Sequence, residues 1–317
     1  MNKLTKMLNI KYPIIQGGMG NISNAPLAAA VSEAGGLGTI GAGTMDPEEV
    51  ERIIVETKLR TRQPFAVNVP LGVSPYSKEI LSLIIKHKVP VASLSAGNPA
   101  PFIPKLHMEG VKVLAVVASV KHAKKAEEAG ADALVAEGYE AAGINSPYET
   151  TTMALIPQVT GAVAIPVIAA GGIADGKGLA AALSLGASGV QMGTRFIAVK
   201  EAPFHALYKQ LVTKADDTST VIVGRALGRI RRLLDTPYAQ KLLDAEQKGI
   251  SLEEFMEKTT EYYHKTGAMD GNIQEGFLNA GQIAGLITDI PSTSDLLVNM
   301  MEEAKVALEA AKTRLFS

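Results

Sequence analysis

IPVIAAGGIADGKGLAAALSLGASGVQMGTRF, at residues 165–196, contains two strand-and-turn units joined by a helix. Residues 166–170 are apolar and uncharged, as expected for a strand that is buried on both faces. An Ala/Leu-rich helix over 179–185 follows and ends at Gly186, where a helix C-terminus favours a residue in the left-handed conformation. A second buried strand covers 189–192. The segment therefore predicts two neighbouring parallel strands connected through a helix.

Both predicted strands end in a glycine turn, Gly171-Gly172 after the first and Gly193-Thr194 after the second. Turns at the carboxyl ends of adjacent parallel strands bring several backbone N–H groups together. In a (β/α)8 barrel, the loops after strands seven and eight form a common phosphate site. The sequence therefore predicts a phosphate-bearing ligand that is held by the main chain.

The first two-thirds of the chain repeat a helix, a glycine and a short apolar strand, as in EAGGLGTI at 33–40 and AGADALVAEG at 129–138. This pattern is typical of a β/α array. Eight alternating units favour a closed α/β (β/α)8 TIM barrel over an open doubly wound sheet, and no G-x-G-x-x-G follows the first strand. The predicted strands are Ile14–Gln16, Gly38–Gly41, Phe65–Val69, Val91–Ser95, Val113–Val117, Ala133–Ala136, Val167–Ala170 and Val190–Met192.

The periodicity changes after the barrel, and the chain divides into three predicted regions. Residues 1–200 form the barrel. Residues 201–285 are charged and amphipathic, which predicts a small helical insertion or cap at the barrel mouth. Residues 286–317 end in a long amphipathic helix that is expected to pack back on the barrel.

Composition excludes several classes of protein. With a formal net charge of −1, general binding to nucleic acid or to an acidic membrane surface is not expected. The chain has no cysteine, which excludes disulfides and thiolate chemistry and fits a cytoplasmic enzyme. Residues 153–174 carry no charge, but Pro157, Pro166 and Gly171-Gly172 interrupt them. Buried barrel wall explains this stretch better than a membrane-spanning helix. A homodimer is compatible with the C-terminal helix, although no pattern requires one.

The rim predicted at the other strand ends is rich in small and amide-bearing residues. Such residues suit a large planar ligand that needs close backbone approach and fixed hydrogen bonds. The candidates are Gly17, Gly18, Met19, Asn68, Gly97, Glu137 and Gly143.

Strong acid–base and metal-binding candidates are few. Of the five histidines, only His205 follows a strand closely enough to approach the predicted mouth, and no metal motif is present. The basic group Arg225, Arg229, Arg231 and Arg232 is interpreted first as a solvated helix face. An anionic partner such as a nucleotide or phosphopantetheine arm is the alternative.

Several motifs together resemble one family, the FMN-dependent nitronate monooxygenases, which includes the flavin-dependent enoyl-acyl-carrier-protein reductases of bacteria. The resemblance extends from the N-terminus through GQIAGLI at 281–287. The motifs are QGGM at 16–19, AGGLGTIG at 34–41, FAVN at 65–68, SAGNP at 95–99, AEG at 136–138, AAGGI at 169–173 and QMGTRF at 191–196.

The resemblance implies FMN as cofactor, bound by the barrel of residues 1–200, with residues 201–285 on the substrate side. Gly17, Gly18 and Met19 would pack against the isoalloxazine ring, and Asn68 would hydrogen-bond its pyrimidine edge. Gln191 and Met192 would lie beside the ribityl chain. The phosphate would be held by Gly171, Gly172, Gly193 and Thr194.

One position departs from the family pattern, in which the loop after strand six carries a histidine. Here the segment reads EAAGIN at 140–145, so the aligned residue is Ile144, and the catalytic residue is unknown. Abstraction of a proton from a neutral nitroalkane needs a positioned base, whereas a nitronate is already deprotonated. The resemblance and this departure together predict a monooxygenase that oxidises alkyl nitronates with O2.

Three alternatives remain open. An NAD(P)H-dependent FMN reductase of enoyl thioesters or quinones would use Tyr139, Tyr148 or water as proton donor. The arginine cluster and the helical cap would then receive the anionic cofactor or carrier arm. A non-catalytic sensor of FMN or another phosphate ligand would need no acid–base group. A sugar-phosphate isomerase would share the phosphate loops, but only Glu137 supports its enolisation chemistry.

Overall fold

The computed structural model describes residues 2–316, with side chains through Leu315, and contains eleven strands. Alternation of short apolar strands with helices places both faces of the main sheet in contact with buried side chains. The strands are β1 Ile14–Gln16, β2 Gly38–Gly41, β3 Phe65–Pro70, β4 Val91–Ser95, β5 Lys112–Val117, β6 Ala133–Glu137, β7 Gly143–Ile144, β8 Val167–Ala170, β9 Gly189–Met192, β10 Thr220–Val223 and β11 Arg231–Leu234.

The helices alternate with the strands as far as β9 and then dominate the remainder of the chain. The α-helices are α1 Lys3–Leu8, α2 Ala25–Glu33, α3 Pro47–Arg60, α4 Ser77–Lys86, α5 Ile103–Met108, α6 Val120–Glu128, α7 Thr152–Thr160, α8 Gly176–Ser184, α9 Thr194–Ile197, α10 Ala206–Thr213, α11 Pro237–Gln247, α12 Leu252–Lys258, α13 Glu261–Ala268 and α14 Thr293–Phe316. Two short 3₁₀ turns cover Gly20–Ile22 and Gln282–Leu286.

The main sheet closes into a (β/α)8 barrel, as the sequence predicts. Its eight strands are all parallel and run in the order β1-β9-β8-β6-β5-β4-β3-β2. A parallel bridge between Ile15 and Leu37 joins the two ends of this order. All eight strands therefore point their carboxyl ends toward the same mouth.

Apolar side chains form two layers, one inside the barrel and one between the strands and the surrounding helices. The inner layer includes Ile15, Ala66 and Ile168, and α1 adds Leu4 and Leu8 to it. Since α1 precedes β1, this helix closes the barrel at the end opposite the mouth. The larger outer layer packs the strands against the surrounding helices. Function is thereby confined to the open end, because the other end is filled by α1.

The region 201–285 is not entirely helical, and that part of the sequence prediction is wrong. Strands β10 and β11 form an antiparallel ribbon, and β11 also pairs with β7, which lies in the loop after β6. The run Thr220–Val223 is β-branched and ends at Gly224, whose φ of 75° permits the turn. Arg231 and Arg232 therefore lie on a buried strand and not on a solvated helix face.

The C-terminal helix α14 packs against α8 and α2. Gly176 at the start of α8 permits the close approach of α14, because a Cβ at this residue would lie 2.3 Å from the Cβ of Glu303. The Gly176 N–H also donates to Glu303 Oε2 at 3.0 Å. Within residues 2–316, no helix combines the length and apolar character needed to cross a bilayer.

The packing of α14 predicts a position-specific loss of stability. Leu297 is completely buried in the outer core layer, so Leu297→Ala should lower the free energy of unfolding by about 2–5 kcal/mol. Its neighbour Val298 is 44% exposed, and Val298→Ala should cost about 0.5 kcal/mol or less. Urea unfolding of both variants measures the difference. Equal effects would contradict docking of this helix face.

Candidate active site

Two adjoining cavities occupy the barrel mouth. The larger has a volume of about 790 Å³, the smaller about 150 Å³, and both are lined by Gly18, Glu137 and Ala142. The larger extends from the ends of β3 to β6 to the ribbon residue Arg231 and to Glu261 on α13. The smaller lies at the ends of β1, β8 and β9. The cap thus covers part of the mouth.

Every residue predicted to bind the cofactor lines one of the two cavities. Their roles remain predictions, but their convergence follows from the shared direction of the parallel strands. The larger cavity contains Asn68, Gly97 and Gly143. The smaller contains Gly17, Met19, Gly171, Gly172, Gln191, Met192, Gly193 and Thr194.

The smaller cavity has the geometry of an anion cradle. Gly171 and Gly172 adopt φ of 92° and 71°, which turns the backbone of this loop into the left-handed region. Within residues 2–316, the N–H groups of Gly172 and Gly193 donate to no protein acceptor. Thr194 Oγ1 accepts from the Gly281 N–H at 2.9 Å, which joins the cap to this loop. Free backbone donors beside a helix N-terminus are suited to phosphate.

Glu140 also lines this cavity, but its carboxylate is engaged elsewhere. It accepts from the Thr152 N–H at 2.9 Å and from Thr152 Oγ1 at 2.9 Å, at the start of α7. The partial positive charge of a helix N-terminus stabilises such a carboxylate. Glu140 therefore orders the loop after β6 while leaving the Gly172 and Gly193 donors free.

The loop after β1 needs glycine because the side chains of Gln191 and Asn68 approach it closely. A Cβ at Gly17 would lie 3.1 Å from Gln191 Nε2, and one at Gly18 would lie 2.6 Å from the Cβ of Asn68. Asn68 Nδ2 donates to the Ser93 carbonyl at 3.1 Å and to Ser95 Oγ at 3.2 Å. These bonds fix the Asn68 amide at the mouth, so the loop and the amide together can receive a flat, hydrogen-bonding ring.

Comparison with known proteins agrees with this geometry. The nitronate monooxygenase family model matches residues 1–74 and 69–303. The chain belongs to this family. It is an oxidoreductase enzyme of the family, as the sequence motifs predict.

Solved and curated relatives cover nearly the whole chain. FabK from Thermotoga maritima is 41% identical, with a TM-score of 0.95 and 99% of both chains covered. The (3aS,4S,5R,7aS)-5-hydroxy-7a-methyl-1-oxo-octahydro-1H-indene-4-carboxyl-CoA dehydrogenase of Rhodococcus jostii is 33% identical, covering 97% of this chain and 96% of its own. A probable nitronate monooxygenase of Staphylococcus saprophyticus is 33% identical, covering 95% and 97%.

Ile144, which the family resemblance aligns with a histidine, lines the larger cavity and is 55% exposed. The predicted alternative His205 is exposed and caps α10, where its Nδ1 accepts from the Leu207 N–H at 3.2 Å. His122, interpreted from sequence as part of a helix surface, does line the larger cavity. Tyr139 and Tyr148 do not appear in the cavity walls that residues 2–316 form.

The cap contributes Glu261 on α13 to the site, and this residue was not predicted from the sequence. Glu261 Oε2 accepts from the Asn21 N–H at 3.2 Å and from His264 Nδ1 at 3.2 Å, which joins α13 to the loop after β1. Burial alone would raise the pKa of Glu261, but His264 and Arg231 lower it to about 2. The carboxylate is therefore ionised at neutral pH. No local sequence signal identifies this contact, because it depends on residues far apart in the chain.

Glu137 ends β6 with its side chain between the two cavities. Burial raises the pKa of Glu137 to about 7. Among residues 2–316, no donor hydrogen-bonds its carboxyl group and offsets this effect. At neutral pH this carboxyl group is partly protonated, and it can then donate as well as accept a hydrogen bond at the centre of the mouth.

This raised pKa predicts a pH-dependent stability for the cofactor-free protein. The ordinary pKa of 4.5 applies to the unfolded chain, so the folded protein binds the proton more tightly. The free energy of unfolding should then decrease as pH rises from 4.5 to about 7, by at most about 3 kcal/mol, and become constant above.

Chemical denaturation across this pH range tests the effect. Glu137→Gln should remove this part of the pH dependence, whereas Glu309→Gln on an exposed face of α14 should not change it. If wild type and Glu137→Gln show the same pH dependence, Glu137 is not the titrating group.

Proposed function

We propose that this protein is an FMN-dependent reductase of enoyl thioesters that takes its electrons from NAD(P)H. The observation that carries the proposal is the size of the larger cavity, about 790 Å³ beside a separate phosphate-sized space. This volume is near the upper end of the roughly 300–1,000 Å³ typical of ligand sites. Room beyond a flavin ring suits an acyl chain better than a small nitronate.

The residues at the mouth fit FMN. Free N–H groups of Gly172 and Gly193 suit its phosphate, the loop of Gly17 and Gly18 allows close approach of its ring, and Asn68 offers a fixed amide. Bound FMN would supply hydride transfer between nicotinamide and substrate. The chain's own contribution is to bind, orient and shield the reacting groups.

A thioester substrate is supported by the charge beside the larger cavity. Helix α6 carries Lys121, Lys124 and Lys125 on its exposed face, and Lys125 lines the cavity. These cations are suited to the phosphates of coenzyme A or of a phosphopantetheine arm. A thioester substrate is also supported by the similarity of this chain to FabK, an enoyl-acyl-carrier-protein reductase, and to a CoA thioester dehydrogenase.

Ile144 determines how the proton must arrive. Reduction of an enoyl thioester places hydride on the β-carbon and a proton on the α-carbon. An isoleucine has no proton to give, so we assign this proton to water that enters the open cavity beside the exposed Ile144 side chain. A family member with histidine here has a protein donor at the same place.

Nitronate oxidation with O2, the activity predicted from the sequence, is the second candidate. Its specific support is again Ile144, since a nitronate needs no base. The probable nitronate monooxygenase of Staphylococcus saprophyticus is also similar over nearly the whole chain. The two candidates differ in the electron donor, which is a nicotinamide in one and the nitronate in the other.

FMN binding predicts an effect at Gly18. A methyl group there would lie 2.6 Å from the Cβ of Asn68 and displace the Asn68 amide, so Gly18→Ala should weaken FMN binding at least about tenfold. Quenching of FMN fluorescence measures the affinity. Gly161→Ala, at the C-terminus of α7 away from the mouth, is the control. Equal FMN affinities of the two variants would contradict the proposed ring position.

Anaerobic stopped-flow absorbance separates the two candidate activities. The protein as purified with FMN is mixed with NADH, NADPH or ethylnitronate, and then with crotonyl-CoA. We expect one nicotinamide to bleach the flavin and crotonyl-CoA to restore its colour. Bleaching by ethylnitronate alone would replace the reductase proposal with nitronate oxidation.

Substitution of Lys125 tests whether this residue recognises the thioester carrier. Lys125→Ala should raise the KM for crotonyl-CoA about two- to fivefold, because it removes one exposed charge beside the phosphates. The KM for crotonyl-N-acetylcysteamine, which has no phosphate, should not change. Lys177→Ala on the exposed side of α8 is the matched control. An equal change for both thioesters would argue against a role in binding the carrier.

A further inference from the structure

Strand β11 pairs antiparallel with β7, and in this pairing Arg231 lies directly opposite Ile144. In an antiparallel pair, directly opposed residues place their side chains on the same face. Both residues accordingly line the larger cavity. Ile144, which stands where the family pattern has a histidine, is therefore next to a guanidinium group.

Arg231 is buried without a hydrogen-bonding partner of its own. Its side chain is 8% exposed, and its guanidinium carbon lies 4.9 Å from the centre of the Phe277 ring. Within residues 2–316, no carbonyl or carboxylate accepts a hydrogen bond from its guanidinium group, and Glu261 acts on it only through charge. Burial of a cation without hydrogen bonds is costly. The free donors are thus available to a ligand in the cavity.

Two other buried arginines do have hydrogen-bonding partners, so the lack of a partner is specific to Arg231. Arg195 donates to Asp289 Oδ1 at 2.8 Å and to the Ala198 carbonyl at 2.7 Å. Arg232 donates to the Tyr139 carbonyl at 3.1 Å and to Thr220 Oγ1 at 3.3 Å. Both therefore have structural partners, whereas Arg231 has an aromatic neighbour and an open cavity.

The charge around Arg231 limits what the ligand can be. The nearby carboxylate of Glu261 offsets the cost of burying the cation, but it accepts hydrogen bonds from Asn21 and His264. The local net charge is then small while the guanidinium donors stay free. This arrangement favours a neutral oxygen that becomes negative during a reaction over a permanently dianionic group such as phosphate.

We propose that Arg231 binds the substrate oxygen on which negative charge develops, in place of a proton-donating residue at position 144. The proposal rests on the thioester reductase function. Hydride addition to the β-carbon moves the C=C electron pair toward the thioester carbonyl, which becomes an enolate oxygen. Arg231 stabilises that oxygen until water protonates the α-carbon and the carbonyl is restored; the hydroxide that remains takes up a proton from bulk solvent. Nicotinamide is the source of the hydride electrons.

The same chemistry applies to a nitronate, whose oxygens also share a negative charge with carbon. Binding measurements with two probes distinguish the sources. Acetoacetyl-N-acetylcysteamine is a β-keto thioester that forms an enolate, and ethylnitronate is the second probe. Isothermal titration calorimetry gives their affinities, and ultraviolet difference spectra report how much of the bound thioester is enolate.

Arg231→Gln should weaken binding of the acetoacetyl thioester by about 10- to 100-fold and reduce the bound enolate fraction. Arg231→Lys retains a charge against Glu261 and should give an intermediate loss, because lysine lacks the planar fork of donors. This variant keeps the test valid if the glutamine variant does not fold. Arg229→Gln, at an exposed arginine in the loop between β10 and β11, should change affinity by about twofold or less.

Equal affinities of wild type, Arg231→Gln and Arg231→Lys for both probes would overturn the proposal. So would failure of both probes to bind the wild-type protein. If only ethylnitronate binding depends on Arg231, its oxygen-binding role stands and the thioester function fails. Because the acetoacetyl thioester is not an enoyl substrate, its affinity is measured without turnover, and the reductase function can fail in the stopped-flow experiment without affecting this result.

Discussion

Closure of the barrel between β1 and β2 is the constraint on which the mouth depends. Besides the bridge from Ile15 to Leu37, Gln16 Oε1 accepts from the Thr39 N–H at 2.9 Å, and Gln16 Nε2 donates to Ser23 Oγ at 3.2 Å. A buried amide thus satisfies backbone and side-chain groups at the seam. Closure brings the loop after β1 beside β2, where the Gly41 N–H donates to the Ser23 carbonyl at 3.0 Å. On its other side β1 pairs with β9, and the loops after these two strands form one wall of the smaller cavity.

The sequence predicts this barrel well because its signals are local. Short apolar strands, helix-ending glycines and glycine turns each follow from a few neighbouring residues, and their repetition determines the fold. The cavity-lining positions of Asn68, Gln191 and the glycine pairs were found because function in a barrel lies at known strand ends. Their chemical roles still rest on the family resemblance and on the proposal made above.

Prediction failed where structure depends on distant partners. The run Thr220–Val223 carried a strand signal that the surrounding charged helices obscured, and β11 requires β7 from a much earlier loop as its neighbour. Arg231 and Glu261 become site residues only through that pairing and through the contact of α13 with Asn21. Side-chain patterns within the cap sequence cannot specify either contact.

The pairing of β7 with β11 also has a consequence for the order of folding. The two strands are separated by the last two barrel strands and several helices, so joining them closes a long loop and carries a large entropic cost. Contacts of this kind usually form after local ones. The barrel would therefore assemble first, and its anion cradle would form before Arg231 reaches the larger cavity.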